Sequence, residues 1–220
     1  GVAPGHSFMR LPMLTAQPQK EQIETLIVAN FVEVYLAKQG HDRPIGVNFL
    51  EKIQLPVLPS LYGAMLAGVD VVLMGAGIPR EIPAVIEQLV SHQEVRYNLN
   101  VQGALAGEQF QLRFDPREVM PTSVTQKNLK RPKFYAIISS NVLATTLAKR
   151  IAKPVDGFII EAPTAGGHNA PPRGKGVRNE RGEPVYGQRD EVDFAAIAEL
   201  GLPFWLAGSR GSPEGLREAL

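Results

Sequence analysis

The feature that most constrains this chain is a rhythm of short apolar runs. Each run is broken by small residues, and a helical pattern follows most of them. Ile45-Gly-Val-Asn-Phe-Leu50, Val69-Asp-Val-Val-Leu-Met74, Phe134-Tyr-Ala-Ile-Ile138, Phe158-Ile-Ile160 and Pro203-Phe-Trp-Leu-Ala207 are strand-length and nearly without polar alternation. Such runs read as strands buried on both faces, the signature of a parallel sheet covered by helices. Between them lie helical stripes. Gln19 to Gln39 carries Ile23, Leu26, Ile27, Phe31, Val34 and Tyr35 and is ended by Gly40. Ser60 reads as the cap of a helix built on Leu61, Ala64, Met65 and Leu66 and closed by Gly68. Pro79 suits the first turn of a helix whose face is Ile82, Val85, Ile86 and Leu89. A helix capped near Asn141 uses Leu143, Leu147 and Ile151 and stops at Pro154. Asp193 opens another that ends at Gly201, and Pro213 begins the last.

One segment departs from the rhythm. Val95, Tyr97, Leu99 and Val101 alternate, as do Phe110, Leu112 and Phe114, across a glycine-bearing connection. Period 2 predicts an antiparallel hairpin inserted near 94–120. A doubly wound open sheet would accommodate the remaining strands. However, ligand-type loops follow strand after strand on one end: Asn48, Gly75-Ala-Gly77, Ser139-Ser140, Gly166-Gly167-His168 and Gly208-Ser209. A barrel gathers such loops around one axis, whereas an open sheet spreads them. We therefore expect a single α/β domain over 1–220, a (β/α)8 TIM barrel incomplete in this chain. It would hold about six of eight strands, counting a remnant at Val2. Gly1-Val-Ala-Pro-Gly5 has no initiator methionine, and the last residues stop inside a helix, so the chain reads as a fragment.

Composition excludes several classes. With 23 basic and 22 acidic residues the net charge is +1, which gives no reason to expect nucleic acid or an acidic membrane as partner. No cysteine is present, which removes disulfides, thiolate ligands and a cysteine nucleophile. No apolar run approaches the roughly 20 residues of a membrane helix, and no basic-then-apolar leader opens the chain. The expectation is a soluble, cytoplasmic protein, with homo-oligomerisation left open. His6, His41 and His92 read as surface residues without metal-ligand spacing, so no metal is expected. Arg173 to Arg189 holds five basic residues interleaved with Glu180 and Glu183 and followed by Asp190 and Glu191. It reads as a solvated loop, long enough to serve as a lid.

Two strand ends carry chemistry. Gly166 and Gly167 let backbone approach a ligand, and His168 is the one side chain there of a type whose unperturbed pKa lies near neutrality. After the next strand, Gly208-Ser-Arg-Gly-Ser212 turns into a helix start, the kind of place that binds phosphate in barrels.

These residues resemble a known family. Asp156-Gly-Phe-Ile-Ile-Glu161 through Ala165-Gly-Gly-His168 is similar to the signature of the nitronate monooxygenases, formerly 2-nitropropane dioxygenases. Gly46-Val-Asn48, the run Ala67 to Pro79 and Leu202-Pro-Phe-Trp-Leu-Ala-Gly-Ser209 support the match. The Ala-Gly-Gly-His element is shared with flavin-dependent enoyl-acyl-carrier-protein reductases. The resemblance implies an FMN-bearing TIM barrel that oxidises alkyl nitronates or nitroalkanes with O2. It implies His168 as catalytic base and Asn48, Ser139, Glu161, Gly166, Gly167, Gly208 and Ser209 around the cofactor. Many relatives place a lysine after strand five, where this chain has Ser139-Ser140. The first and eighth strand segments of the family are absent here, so weak or no FMN binding is expected unless something completes the barrel. The alternatives are an enoyl-thioester reductase using NAD(P)H and a non-catalytic FMN- or phosphate-binding subunit.

Overall fold

The computed structural model describes residues 5, 12–161, 163–165, 170–174, 176–208 and 210–219. In chain order the elements are α1 (Lys20–Ala37), β1 (Gly46–Leu50), α2 (Val57–Leu66), β2 (Val71–Gly75) and α3 (Ile82–Val90). The hairpin strands β3 (Val95–Leu99) and β4 (Phe110–Phe114) follow, with short helices α4 (Pro116–Val119) and α5 (Thr122–Thr125). Then come β5 (Lys133–Ile138), α6 (Asn141–Lys149), β6 (Gly157–Glu161), α7 (Phe194–Ala198), β7 (Phe204–Ala207) and α8 (Pro213–Ala219).

Five strands form one parallel sheet in the order β1-β2-β5-β6-β7, and β3 pairs only with β4, antiparallel. Every neighbour in the parallel sheet is thus the next parallel strand along the chain. A doubly wound sheet reverses its strand order at a switch point. This one never does, which makes it an arc of a (β/α)8 barrel, incomplete among the described residues. The expected remnant at Val2 lies outside them.

One face of the sheet buries Val72, Met74, Phe134, Ala136, Ile138, Phe158 and Ile160 in the main core with Leu61, Met65, Ile86, Leu89 and Leu147 from the helices. The other face is the barrel interior. Along it the register aligns Asn48 with Leu73, Leu73 with Tyr135, and Tyr135 with Gly157. A second row aligns Ile137, Ile159 and Trp205. Tyr135 and Trp205 touch across the gap over Gly157, their ring centroids 4.7 Å apart. Trp205 is still 46% exposed, as an interior face is when the arc is not closed.

The opposite, N-terminal end is held by two aspartates. Asp70 accepts from the Ile45 N–H at 2.9 Å and pairs with Lys38 and Lys130. Asp156 accepts from the Phe134 N–H and from Arg131, both at 2.8 Å. Each joins a strand to its neighbour at the end that in barrels serves stability. Burial pushes the Asp70 carboxyl up, but the hydrogen bonds from Lys130, Lys38 and Ile45 outweigh it and hold it well below its ordinary 3.8. A depressed folded pKa contributes stability above the unfolded value and loses it as pH falls toward the folded value. Asp70→Asn is therefore expected to cost about 2 kcal/mol at neutral pH. In urea titrations that difference should shrink steadily as pH falls below 3.8. A gap that stays constant with pH would contradict this assignment.

Four sequence expectations need correction. Ser60 is not a cap: α2 begins at Val57 with Pro56 before it, because Pro59 fits a first turn that needs no N–H. Pro79 precedes α3, whose first turn instead holds Pro83. The predicted stripe of α1 buries only Ile27 and Val34; Tyr35 is half-exposed and stacks on Phe31. α1 packs chiefly on α2, so one narrow strip of it is covered. His92 is buried, not at the surface. Its Nδ1 lies 2.7 Å from the Tyr62 hydroxyl and its Nε2 2.8 Å from the Lys127 carbonyl. Since a carbonyl only accepts, Nε2 carries the proton and Nδ1 accepts from Tyr62. Burial pushes the Tyr62 phenol up to about 12.

Candidate functional site

The C-terminal ends of the strands converge on a cavity of about 190 Å³. The loop after β1 contributes Lys52, and the loop after β2 contributes Ala76 and Gly77. Ile137, Ile138 and Ser139 come from the end of β5, with Leu143 from the first turn of α6. Glu161 ends β6, and Ala170 and Pro171 return from the loop beyond it. Loops after four successive parallel strands meet here, as a barrel requires.

Of the residues expected at a cofactor, Ser139 and Glu161 line this cavity together. Ser140 beside them caps α6, its hydroxyl accepting from the Leu143 N–H at 3.1 Å. Asn48 lies further back on β1, exposed at the edge of the interior face, and is not in the cavity wall. Gly208 has φ +104°, and a Cβ there would lie 2.6 Å from the Ala165 nitrogen. Its glycine is therefore required by the packing of the β7 loop on the β6 loop. The Ser212 hydroxyl accepts from the Gly215 N–H at 3.0 Å and so caps α8. His168, Gly166, Gly167 and Ser209 lie outside the described residues, as does His6.

The stretch after β6 is not merely solvated. The Arg173 guanidinium donates to the Ser139 and Arg189 carbonyls, which ties the loop across the end of β5. Buried Asp190 accepts from the Gly187 and Arg173 N–H groups at 2.8 and 2.7 Å, and these bonds hold its carboxyl below the usual range. The Tyr186 hydroxyl donates to the Ala170 carbonyl at 2.9 Å. No periodicity announces such contacts, because Asp190 reaches a backbone group 17 residues back. The outer part of the loop, around Arg178 and Arg181, is exposed as expected.

Lys52 and its neighbour Glu51 were missed in the sequence, since both look like turn residues. Ala76 has φ +55°, rare for a residue with a side chain. At Gly77 a Cβ would fall 1.9 Å from Glu51 Oε2. Burial raises the Glu51 carboxyl above its usual value, partly offset by the Tyr97 hydroxyl 3.3 Å from Oε1. Burial likewise pushes Tyr97 up to about 12. Gln54 donates to the Asn98 carbonyl at 3.0 Å and accepts from the Asn100 N–H at 2.8 Å. The inserted hairpin is thereby docked on the loop after β1, beside the cavity.

The wall combines apolar surface from Ile137 and Leu143 with the polar side chains of Ser139, Glu161 and Lys52. Among the described residues no group of three His, Asp or Glu side chains is placed to hold a metal ion. Likewise no helix among them is long and apolar enough to cross a membrane.

No protein-family profile matches the chain, and no curated protein matches it. Solved structures of FabK from Thermotoga maritima are similar to it. A point mutant is 14% identical over 94% of this chain and 55% of that chain, with a TM-score of 0.47. Another FabK structure is 18% identical over 81% of this chain and 45% of that one, with a TM-score of 0.38. The chain thus spans about half the length of these structures. Likeness at this level carries no residue role, and the barrel assignment rests on the strand order above.

Proposed function

We propose that this chain is the core of an FMN-dependent oxidoreductase barrel of the nitronate monooxygenase type. The observation that supports the reading is the convergence of four strand-end loops on one cavity lined by Ser139 and Glu161. The loop that carries Ala165-Gly-Gly-His168 returns to the same cavity at Ala170 and Pro171. Bound FMN would supply electron transfer and oxygen chemistry, and the protein supplies orientation and electrostatics. Ser139, Glu161, Gly166 and Gly167 would border the flavin, with Asn48 beside them on β1. Gly208 and Ser209 would lie toward its phosphate. His168 would take the proton α to a nitro group or hold the anionic nitronate, a task suited to a base whose pKa is near neutral.

The Ala-Gly-Gly-His element serves flavin-dependent enoyl-acyl-carrier-protein reductases equally well, so the reducing substrate decides between them. The test is anaerobic mixing of the FMN-loaded protein with either a nitroalkane or NAD(P)H. Bleaching of the flavin band by the nitroalkane supports the nitronate reading. Bleaching by NAD(P)H alone, with turnover of an enoyl thioester, replaces it by the reductase. FMN that neither reagent reduces leaves a binding subunit.

A further inference from the structure

We propose that the described residues of 170–190 form a strap closed down on the strand ends, fastened by a clasp of Asp190 and Arg173, which lifts to admit a ligand. This rests on the reading of the strand-end cavity as the ligand site, whichever ligand it takes.

The strap lies directly on the residues that a ligand would meet. Ala170, Arg173, Tyr186 and Asp190 close on Ser139 and Glu161 around a space of about 10 Å³, roughly the room one water needs. Beside it the strand-end cavity, which Ala170 and Pro171 also wall, measures about 190 Å³. Sites for small organic ligands run from roughly 300 to 1,000 Å³. With the strap down, the strand ends are too confined for a ligand of that size.

What holds the strap is polar. Among the described residues, none between 163 and 191 belongs to the hydrophobic core or packs against it. Val177 and Val185 are 61% and 46% exposed. The strap is closed on itself where Asp190 accepts from the Gly187 and Arg173 N–H groups and where the Tyr186 hydroxyl donates to the Ala170 carbonyl. The Arg173 guanidinium then fastens it to the barrel at the Ser139 carbonyl. Just beyond the strap the chain is pinned. Asn141 Nδ2 donates to the Asp193 carbonyl at 2.7 Å, and the Asp193 N–H donates to Asn141 Oδ1 at 3.0 Å. The strap thus has a clasp on one side and a fixed end at the start of α6 on the other. Segments with few buried apolar contacts open locally at low free energy. Lifting this one breaks hydrogen bonds and exposes no core.

The test uses a cysteine reporter, since the chain has no cysteine of its own. Ser139→Cys places a thiol of nearly the same size under the strap. Its reaction with dithiobis(nitrobenzoate) is timed in the intact gene product, with the protein that keeps Ser139 as background. Adding Asp190→Ala, which removes the acceptor of both clasp N–H groups, is expected to speed labelling about tenfold or more. Adding Arg173→Met should speed it in the same direction, and it carries the test alone if Asp190→Ala does not fold. Amide hydrogen exchange in β2 and β5 should stay unchanged in both variants. Labelling within about twofold of the parent in the folded clasp variants would overturn the strap. Faster exchange spread through β2 and β5 would overturn it too, because Asp190 and Arg173 would then support the whole domain. FMN uptake is a separate readout: a wild type that takes up none would remove the flavin reading and leave the strap in place.

Discussion

Gly63→Ala is expected to destabilise the protein by about 3 kcal/mol, lowering Tm by roughly 6–12 °C for a chain of this size. Gly63 sits within α2 where that helix crosses α1. A Cβ there would lie 2.3 Å from the Ile27 carbonyl oxygen and 2.9 Å from its carbon. The obstacle is backbone, which no rotamer change relieves, so the helices must separate. Separation would disturb Ile27 and Val34, the two buried residues of α1 in the core. Gly176→Ala, with no atom within 4 Å of its Cβ, is the matched control and should leave Tm unchanged. Thermal melts of the two variants check the pair. Equal melting points would mean that α1 does not pack on α2 this closely.

The second large effect is catalytic. On the proposed reading, His168→Ala lowers the rate of flavin reduction by a neutral nitroalkane about 10²–10⁴-fold, the usual contribution of a positioned base. The loss should be much smaller with the preformed nitronate, which has already given up its α proton. FMN content should stay the same, since the base acts on substrate. Stopped-flow bleaching with both forms of the substrate measures this. Unchanged rates with the nitroalkane would remove His168 from the base role.

The elements were legible because their signals are local. Apolar runs without alternation marked β2, β5 and β6, and the period of 2 from Val95 to Leu99 and Phe110 to Phe114 marked the hairpin that the structure contains. The choice of barrel over open sheet followed from loops at one end, and the strand order agrees with it. Errors came where a local signal competed with a neighbour. Ser60 looked like a cap because the proline-led turn before it was not weighed, and α2 starts a turn earlier. His92 looked exposed because it ends a helix, yet Tyr62 and the Lys127 carbonyl, distant in sequence, close over it.

At the site, Ser139 and Glu161 were legible as residues at strand ends. Lys52 was not, because it sits in a turn just beyond β1, and Glu51 and Arg173 were not, because their importance comes from partners far along the chain. Glu51 meets Tyr97 of the hairpin, 46 residues on, and Arg173 meets the Ser139 carbonyl, 34 residues back. Composition and periodicity carry no information at that range. The same distance explains the hairpin. It reads as a self-contained insert in sequence, and in the fold Gln54 stitches it to the rim of the cavity.

The central claim is that the strand ends of this arc form a flavin site. The most direct measurement is the visible absorption spectrum of the purified intact gene product before and after incubation with FMN, with the released pigment identified on denaturation. The account predicts a flavin spectrum whose pigment is FMN, retained through gel filtration. A colourless intact protein that takes up no FMN would contradict it and leave a barrel whose ligand is of another kind.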